Sequence, residues 1–181
     1  MNEINTENQY IIVGIPLYNS EETIGSIILS CSKHADEVVC VDDCSSDKSA
    51  EISKAAGATV ISHKVNRGVG GVAKTLFKYA KQKNASMIVL IDSDGQHDPN
   101  DLPKMIKPLY EGKADLVIGS RFVSGGKSKD MPTYRKFGLK LINTVSKLHS
   151  KQHIRDTQSG YRAFNKKAID SLRFENEGMK S

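Results

Sequence analysis

Short apolar runs alternate with longer stretches of helical periodicity along the first two-thirds of the chain, and this alternation restricts the possible folds more than any other feature. Residues 10–15, 37–42, 58–62, 86–92 and 116–119 are rich in Val and Ile and too short for stable helices, so they predict strands. Between them, residues 21–34 carry Ile24, Ile27, Ile28 and Cys31 on one helical face, and residues 69–83 carry Val72, Leu76 and Tyr79 inward. A helix over 47–56 stops at Gly57, and one over 99–110 starts with Asp98 as N-cap and Pro99 in its first turn. The run over 86–92 is apolar until its last residue, which predicts a central strand buried on both faces. Strand–helix–strand alternation of this kind predicts an α/β fold with a largely parallel sheet and helices on both faces.

The pattern changes after Ser120. Residues 124–129 form a Gly/Ser/Lys loop, and 133–149 an amphipathic helix with Phe137, Leu141, Val145 and Leu148 on one side. A loop with a short strand follows over 156–164, then a short helix over 166–172. No repeat or linker interrupts the 181 residues, so the chain is expected to be a single domain (1–181), C-terminally truncated because its last residues contain no closing element.

Charge is divided unevenly. Residues 1–120 hold 12 Lys and Arg against 16 Asp and Glu, and residues 121–181 hold 14 against 5. An acidic part suited to a cation therefore precedes a basic part suited to an anionic substrate or a membrane surface. Nucleic acid is not expected, since aromatic residues are 6% of the chain and no nucleic-acid-binding motif appears. Cys31, Cys40 and Cys44 are an odd set without zinc spacing, which points to free thiols in a reducing compartment. Residues 1–9 lack the apolar core of a signal peptide, and no run reaches the roughly 18 apolar residues of a membrane span.

In open parallel sheets ligands bind at the carboxyl ends of the strands, and polar residues gather there. The successive strands end in Pro16-Leu17-Tyr18-Asn19, Asp42-Asp43-Cys44-Ser45-Ser46-Asp47, Asn66-Arg67-Gly68-Val69-Gly70-Gly71, Asp92-Ser93-Asp94-Gly95-Gln96-His97 and Gly119-Ser120-Arg121. Two carboxylates sharing one turn, Asp92 and Asp94, repel each other unless a hard divalent cation takes oxygen ligands from both, with Gln96 as a further ligand. Mg²⁺ or Mn²⁺ suits such a site, because either accepts phosphate oxygens in its remaining positions. Of Asp42 and Asp43, one is read as binding a base or ribose and the other as orienting the loop. Gly68, Gly70 and Gly71 allow close backbone approach to a ligand, although they follow the third strand and match neither a nicotinamide fingerprint nor a Walker A loop. His34, His63, His149 and His153 read as surface or packing residues.

Together these five endings resemble the family 2 glycosyltransferases, which have the GT-A fold with its Rossmann-like sheet. Tyr134-Arg135 and Asp156-Thr157-Gln158-Ser159-Gly160-Tyr161-Arg162 resemble the branch containing dolichol-phosphate mannose synthase and polyprenyl-phosphate glucosyltransferases. The resemblance runs from about residue 10 to residue 172. It implies a nucleotide-sugar donor, with Pro16 and Tyr18 lining the base pocket and Asp43 at the base or ribose; Asn19, Gly68, Asp92 and Ser93 complete the nucleotide-binding set. It further implies that Asp92, Asp94 and Gln96 hold the metal, that Asp94, Arg121 and Arg135 are the catalytic set, and that the two arginines bind a dolichyl or polyprenyl phosphate acceptor. The family's Glu after Asn19 is replaced here by Ser20, with Glu21 next. The implied location is cytoplasmic, peripheral at the inner face of the membrane.

The implied chemistry is inverting transfer of a hexose from a GDP-mannose or UDP-glucose type of donor. A metal-stabilised diphosphate leaves without an enzyme acid, and an anionic phosphate acceptor needs positioning more than a base. Asp156 is read as shaping its loop rather than acting as that base. Three other readings compete: a family 2 enzyme acting on a glycan, a haloacid-dehalogenase-like phosphatase using Asp92-x-Asp94, and a non-catalytic nucleotide-binding module. The phosphatase reading expects Thr or Val after the second Asp, where Gly95 stands, and it leaves Asp42-Asp43 unexplained.

Overall fold

The computed structural model describes residues 9–119 and 160–172. Five strands alternate with four helices in the first segment: β1 Ile11–Leu17, α1 Ile24–Cys31, β2 Glu37–Asp42, α2 Ser49–Ala55, β3 Thr59–Ser62, α3 Gly68–Gln82, β4 Met87–Leu90, α4 Leu102–Tyr110 and β5 Leu116–Ile118. The second segment supplies β6 Arg162–Asn165 and α5 Lys166–Ser171. Among the described residues the strand order is β3-β2-β1-β4-β6-β5. The four strands β3, β2, β1 and β4 are mutually parallel, as the alternation predicts. β6 runs antiparallel between β4 and β5, so the sheet is largely but not wholly parallel.

Burial on both faces explains the unbroken apolar strands. Along β1, Ile11, Val13, Ile15 and Leu17 face α1 and α4 with Ile28, Leu102 and Ile106, while Ile12 faces α3 and α5 with Leu76, Phe77 and Ile169. A strand alternates its side chains between faces, so covering both sides requires apolar residues at every position. Each fully buried Ile, Leu or Phe here contributes about 2 kcal/mol of transfer free energy. Gly14 is the exception within β1. A Cβ there would lie 3.0 Å from Leu76 Cδ2 and 3.1 Å from Leu90 Cδ2, so the missing side chain is what lets α3 pack close to the sheet.

Several boundaries differ from the sequence expectation for local reasons. The first helix starts at Ile24 rather than at residue 21, because Ser20 O accepts from the N–H groups of both Thr23 and Ile24 and closes a separate turn. The fourth strand ends at Leu90 rather than at Asp92, although Ile91 N still donates to Gly14 O. Asp98 caps as expected, its carboxylate accepting from Asn100 N, but the turn it caps is a 3-10 turn, Pro99–Asp101, which precedes α4. The helix expected over 133–149 lies outside the described residues.

Candidate active site

The turn after β4 is anchored at its centre and carries a carboxylate on either side. Ser93 is buried, with its hydroxyl 2.8 Å from Ser20 Oγ and its carbonyl accepting from Thr23 Oγ1 at 2.6 Å. On either side, the Asp92 side chain is 33% exposed and Asp94 is exposed. Asp94 Oδ1 accepts from Gln96 N at 3.0 Å, and Gly95 completes the turn at φ +72°, where a side chain would be strained. His97 Nε2 lies 3.9 Å from Asp92 Oδ2, and its ring packs 5.1 Å from that of Tyr161.

The far wall of this turn comes from the second described segment. Leu90 pairs with Arg162, so two residues further along the antiparallel pair Gly160 faces Asp92. A Cβ at position 160 would overlap the Asp92 carboxyl group, so that carboxyl occupies the space a side chain at 160 would need. Tyr161 then closes the floor, with its carbonyl accepting from Gly119 N and its buried ring against Gly119. The donor types fit a hard cation, since Asp92, Asp94 and Gln96 offer carboxylate and amide oxygens. No group of three or more His, Cys, Asp or Glu converges as a metal cage among the described residues. A cation here would therefore draw on two carboxylates and on ligand oxygens.

The carboxylates after β2 behave differently. Asp42 and Asp43 are both buried. Asp42 Oδ1 accepts from Ser45 N at 3.0 Å and so holds its own turn. Asp43 accepts from three donors: His63 Nδ1 at 2.6 Å, Gly68 N at 2.7 Å, and Arg67 N at 2.9 and 3.1 Å to its two oxygens. Burial alone would push its pKa up. The His63 and backbone hydrogen bonds outweigh burial and hold the carboxyl below the usual aspartate value. On its other side His63 Nε2 lies 2.8 Å from Thr75 Oγ1 on α3, which bridges the end of β2 to that helix. Asn66 Nδ2 adds a bond to Asp43 O.

A third cluster joins the ends of β1 and β2. Asn19, at φ +48°, accepts from Ser46 N through its amide oxygen at 2.8 Å and donates its backbone N–H to Ser45 Oγ. Glu21 and Asp47 cap reciprocally: Asp47 Oδ2 accepts from Glu21 N, and Glu21 Oε2 accepts from Lys48 N. Ser20 N donates to Ser49 Oγ. Glu21 thus helps to start α2, and the family's Glu position, held by Ser20, is tied to Ser93. Pro16 lies in β1 opposite Val41, and the Tyr18 side chain stands clear of these bonds at 55% exposure.

Pro16, Tyr18, Asn19, Asp43, Gly68, Asp92, Ser93, Asp94 and Gln96 consequently gather along one edge of the sheet, at the carboxyl ends of β1 to β4. Arg121, Arg135 and Asp156 lie outside the described residues. His63, which reads from the sequence as a surface or packing residue, is enclosed, with its side chain 5% exposed, and what the sequence does not show is its bonding at both ring nitrogens, to Asp43 and Thr75. Its position directly after β3, on the ligand-binding edge, was the available signal. Ser20 and Thr23 were missed because their role appears only where α1 meets the β4 turn.

The model of the family described as "Glycosyl transferase family 2" matches residues 12–173. The chain belongs to this family. It is 32% identical over 183 residues to the UDP-N-acetylglucosamine–dolichyl-phosphate N-acetylglucosaminyltransferase of Methanococcus voltae, covering 91% of this chain and 73% of the relative. It is 30% identical to the dolichol-phosphate mannosyltransferase of Pyrococcus furiosus, covering 94% of this chain and 50% of that protein. Among solved structures, the Mycobacterium tuberculosis glucosyl-3-phosphoglycerate synthase with phosphoglyceric acid aligns at TM-score 0.62 and 25% identity, over 88% of this chain and 58% of that one. The same synthase has been solved with Mn²⁺, UDP and glucosyl-3-phosphoglycerate, aligning at TM-score 0.59 and 25% identity over 88% of this chain and 58% of that one. The fold is GT-A, as its strand endings imply, and the chain spans little more than half of these solved chains.

Proposed function

We propose that this chain catalyses inverting transfer of a hexose from a nucleotide sugar to a dolichyl or polyprenyl phosphate at a membrane surface. One observation carries the reading: the half-buried Asp92 and the exposed Asp94 stand on a turn whose far wall, Gly160, belongs to the Asp156-Thr157-Gln158-Ser159-Gly160-Tyr161-Arg162 motif. The feature suited to the donor diphosphate and the segment resembling the lipid-phosphate branch are thereby in contact. The names of the archaeal relatives support a lipid-phosphate acceptor, and the manganese and UDP complexes of the solved synthase support a divalent cation.

Asp92, Asp94 and Gln96 would hold Mg²⁺ or Mn²⁺, which supplies charge stabilisation to the departing diphosphate. Pro16 and Tyr18 border the base, and the glycines at 68, 70 and 71 let the backbone there approach the nucleotide closely. Arg121 and Arg135 are assigned to the acceptor phosphate, where two guanidinium forks align its oxygen behind the anomeric carbon. In-line attack then inverts the anomeric configuration. Among the described residues no helix is long and apolar enough to cross a membrane; the membrane contact proposed is peripheral.

A thermal-shift series with UDP, GDP, UDP-glucose and GDP-mannose, each with Mn²⁺, tests the donor half. Binding to the folded state raises the melting temperature with ligand concentration, and a flat response to all four would overturn the reading. Arg135→Ala tests the acceptor half. Transfer to a polyprenyl phosphate should fall by about tenfold or more with donor affinity nearly unchanged, and persistent transfer would remove the acceptor assignment. A second reading keeps the donor site and substitutes a water-soluble acceptor bearing a phosphate. The solved synthase, bound to phosphoglyceric acid, favours it. Family membership leaves the phosphatase reading without support.

A further inference from the structure

The stretch from Lys64 to Gly70 is exposed at every residue. A loop of that kind has little packing of its own to hold it. What holds it lies beneath: Asp43 accepts the N–H groups of Arg67 and Gly68, and Asn66 Nδ2 donates to Asp43 O. Asp43 is held in turn by His63, whose second nitrogen meets Thr75 about two turns into α3, where Thr75 Oγ1 also lies 3.1 Å from Gly71 O. Cys44 Sγ donates to His63 O, and His63 N donates to Asp42 O, so the imidazole is fixed from its backbone as well. A single ring therefore connects the turn after β2, the end of β3 and the first turns of α3. Its side chain is 5% exposed, too enclosed to reach a substrate.

We propose that His63 is a positioning residue for the nucleotide, acting through Asp43 to hold the backbone of residues 66–68 against the donor. The inference rests on assigning this edge to the nucleotide sugar. Asp43 as a carboxylate can only accept, so His63 Nδ1 donates to it. Without that donor the carboxyl loses its shortest bond and is free to rotate away from the amides of Arg67 and Gly68. Gly68, at φ +66°, has no side chain to restrain it. The loop would then sample other conformations, and binding would bear the cost of selecting the competent one.

The experiment compares four chains, wild type, His63→Ala, His63→Asn and His63→Gln, by the Kd for UDP and for GDP with Mn²⁺ and by thermal melting. Asparagine places its amide nitrogen near the Nδ1 position and keeps the bond to Asp43, while glutamine reaches toward Thr75 instead. His63→Ala should weaken the preferred nucleotide by about tenfold. His63→Asn should restore most of the affinity and His63→Gln should not. Tyr79→Phe is the control for lost stability alone. It removes a 2.7 Å bond to Glu37 at the opposite end of the sheet and should lower the melting temperature with Kd unchanged. An affinity within twofold of wild type in His63→Ala, equal behaviour of the Asn and Gln variants, or an equal loss of affinity in Tyr79→Phe would each overturn the positioning role. If wild type binds neither nucleotide, the donor-site reading fails and this proposal with it, an outcome distinct from tight binding in every variant.

Discussion

Asp43 and Asp94 follow β2 and β4, the two strands that flank β1, and both carboxylates stand on the same edge of the sheet. Asp43 is buried and meets three protein donors, whereas Asp94 is exposed and accepts one backbone N–H from its own turn. The first carboxylate is satisfied by the protein and the second retains capacity for something else. A carboxylate offers about four acceptor positions, so among the described residues Asp43 is largely occupied by protein donors and holds the backbone at Arg67 and Gly68, whereas Asp94 keeps acceptor positions that no described side chain fills. Similar acidic sequences at strand ends thus meet different surroundings, and the donors brought in by other elements make the difference.

The largest effect is expected from Asp94→Asn. It should abolish Mn²⁺-dependent binding of the nucleoside diphosphate while shifting stability by less than about 0.5 kcal/mol, as for other exposed substitutions. Calorimetric titration and denaturant unfolding together check this, and unchanged binding would break the comparison at its ligand-facing side. Gly160→Ala should come next. The added methyl overlaps the Asp92 carboxyl, so that group must turn away and Mn²⁺-dependent binding should fall severalfold even though Asp92 itself is intact. Wild-type affinity in this variant would mean that the Gly160 wall has no part in the site.

Asp43→Asn should reverse the balance, with stability suffering first. The amide cannot accept from all three donors, and leaving one buried donor unmet costs about 1–3 kcal/mol, read as a lower denaturant midpoint. The pH dependence carries a definite sign. The folded pKa of Asp43 lies below the unfolded one, so its contribution is fully present above the unfolded value, about 3.9, and is lost as pH falls through the folded value. The gap between wild type and Asp43→Asn should therefore narrow as the solution is acidified below about pH 4. A gap that stays constant with pH would show that the carboxylate charge contributes nothing. The smallest effect, about 1 kcal/mol with no change in nucleotide affinity, is expected from Tyr79→Phe at the far end of the sheet. There Glu37 accepts from Tyr10, Thr59 and Tyr79, away from any proposed ligand.

Much of the frame could be read before any coordinates. The strand from Glu37 to Asp42 appears with the bounds its apolar run marks, and the central place of the 86–92 run follows from its having no polar face. The pairing of β6 was not legible, because a four-residue strand does not declare its direction, and only its insertion between β4 and β5 does. The same limit explains His63 and Gly160. Each acts on a residue far away in sequence, Asp43 and Asp92 respectively, and neither belongs to a periodic pattern.

Local chemistry in the sequence determined which residues stand at the strand ends, because apolar periodicity places the strands and polar residues must leave the core where they finish. It also determined that Asp92 and Asp94 share one turn and that the chain carries the motifs of family 2 glycosyltransferases. Only the tertiary structure decided how the acidic residues divide the work. Burial and hydrogen-bond satisfaction depend on neighbours brought in by other strands. His63 and the amides of Arg67 and Gly68 meet Asp43 because β3 lies beside β2, and Gly160 meets Asp92 because β6 returns antiparallel to β4.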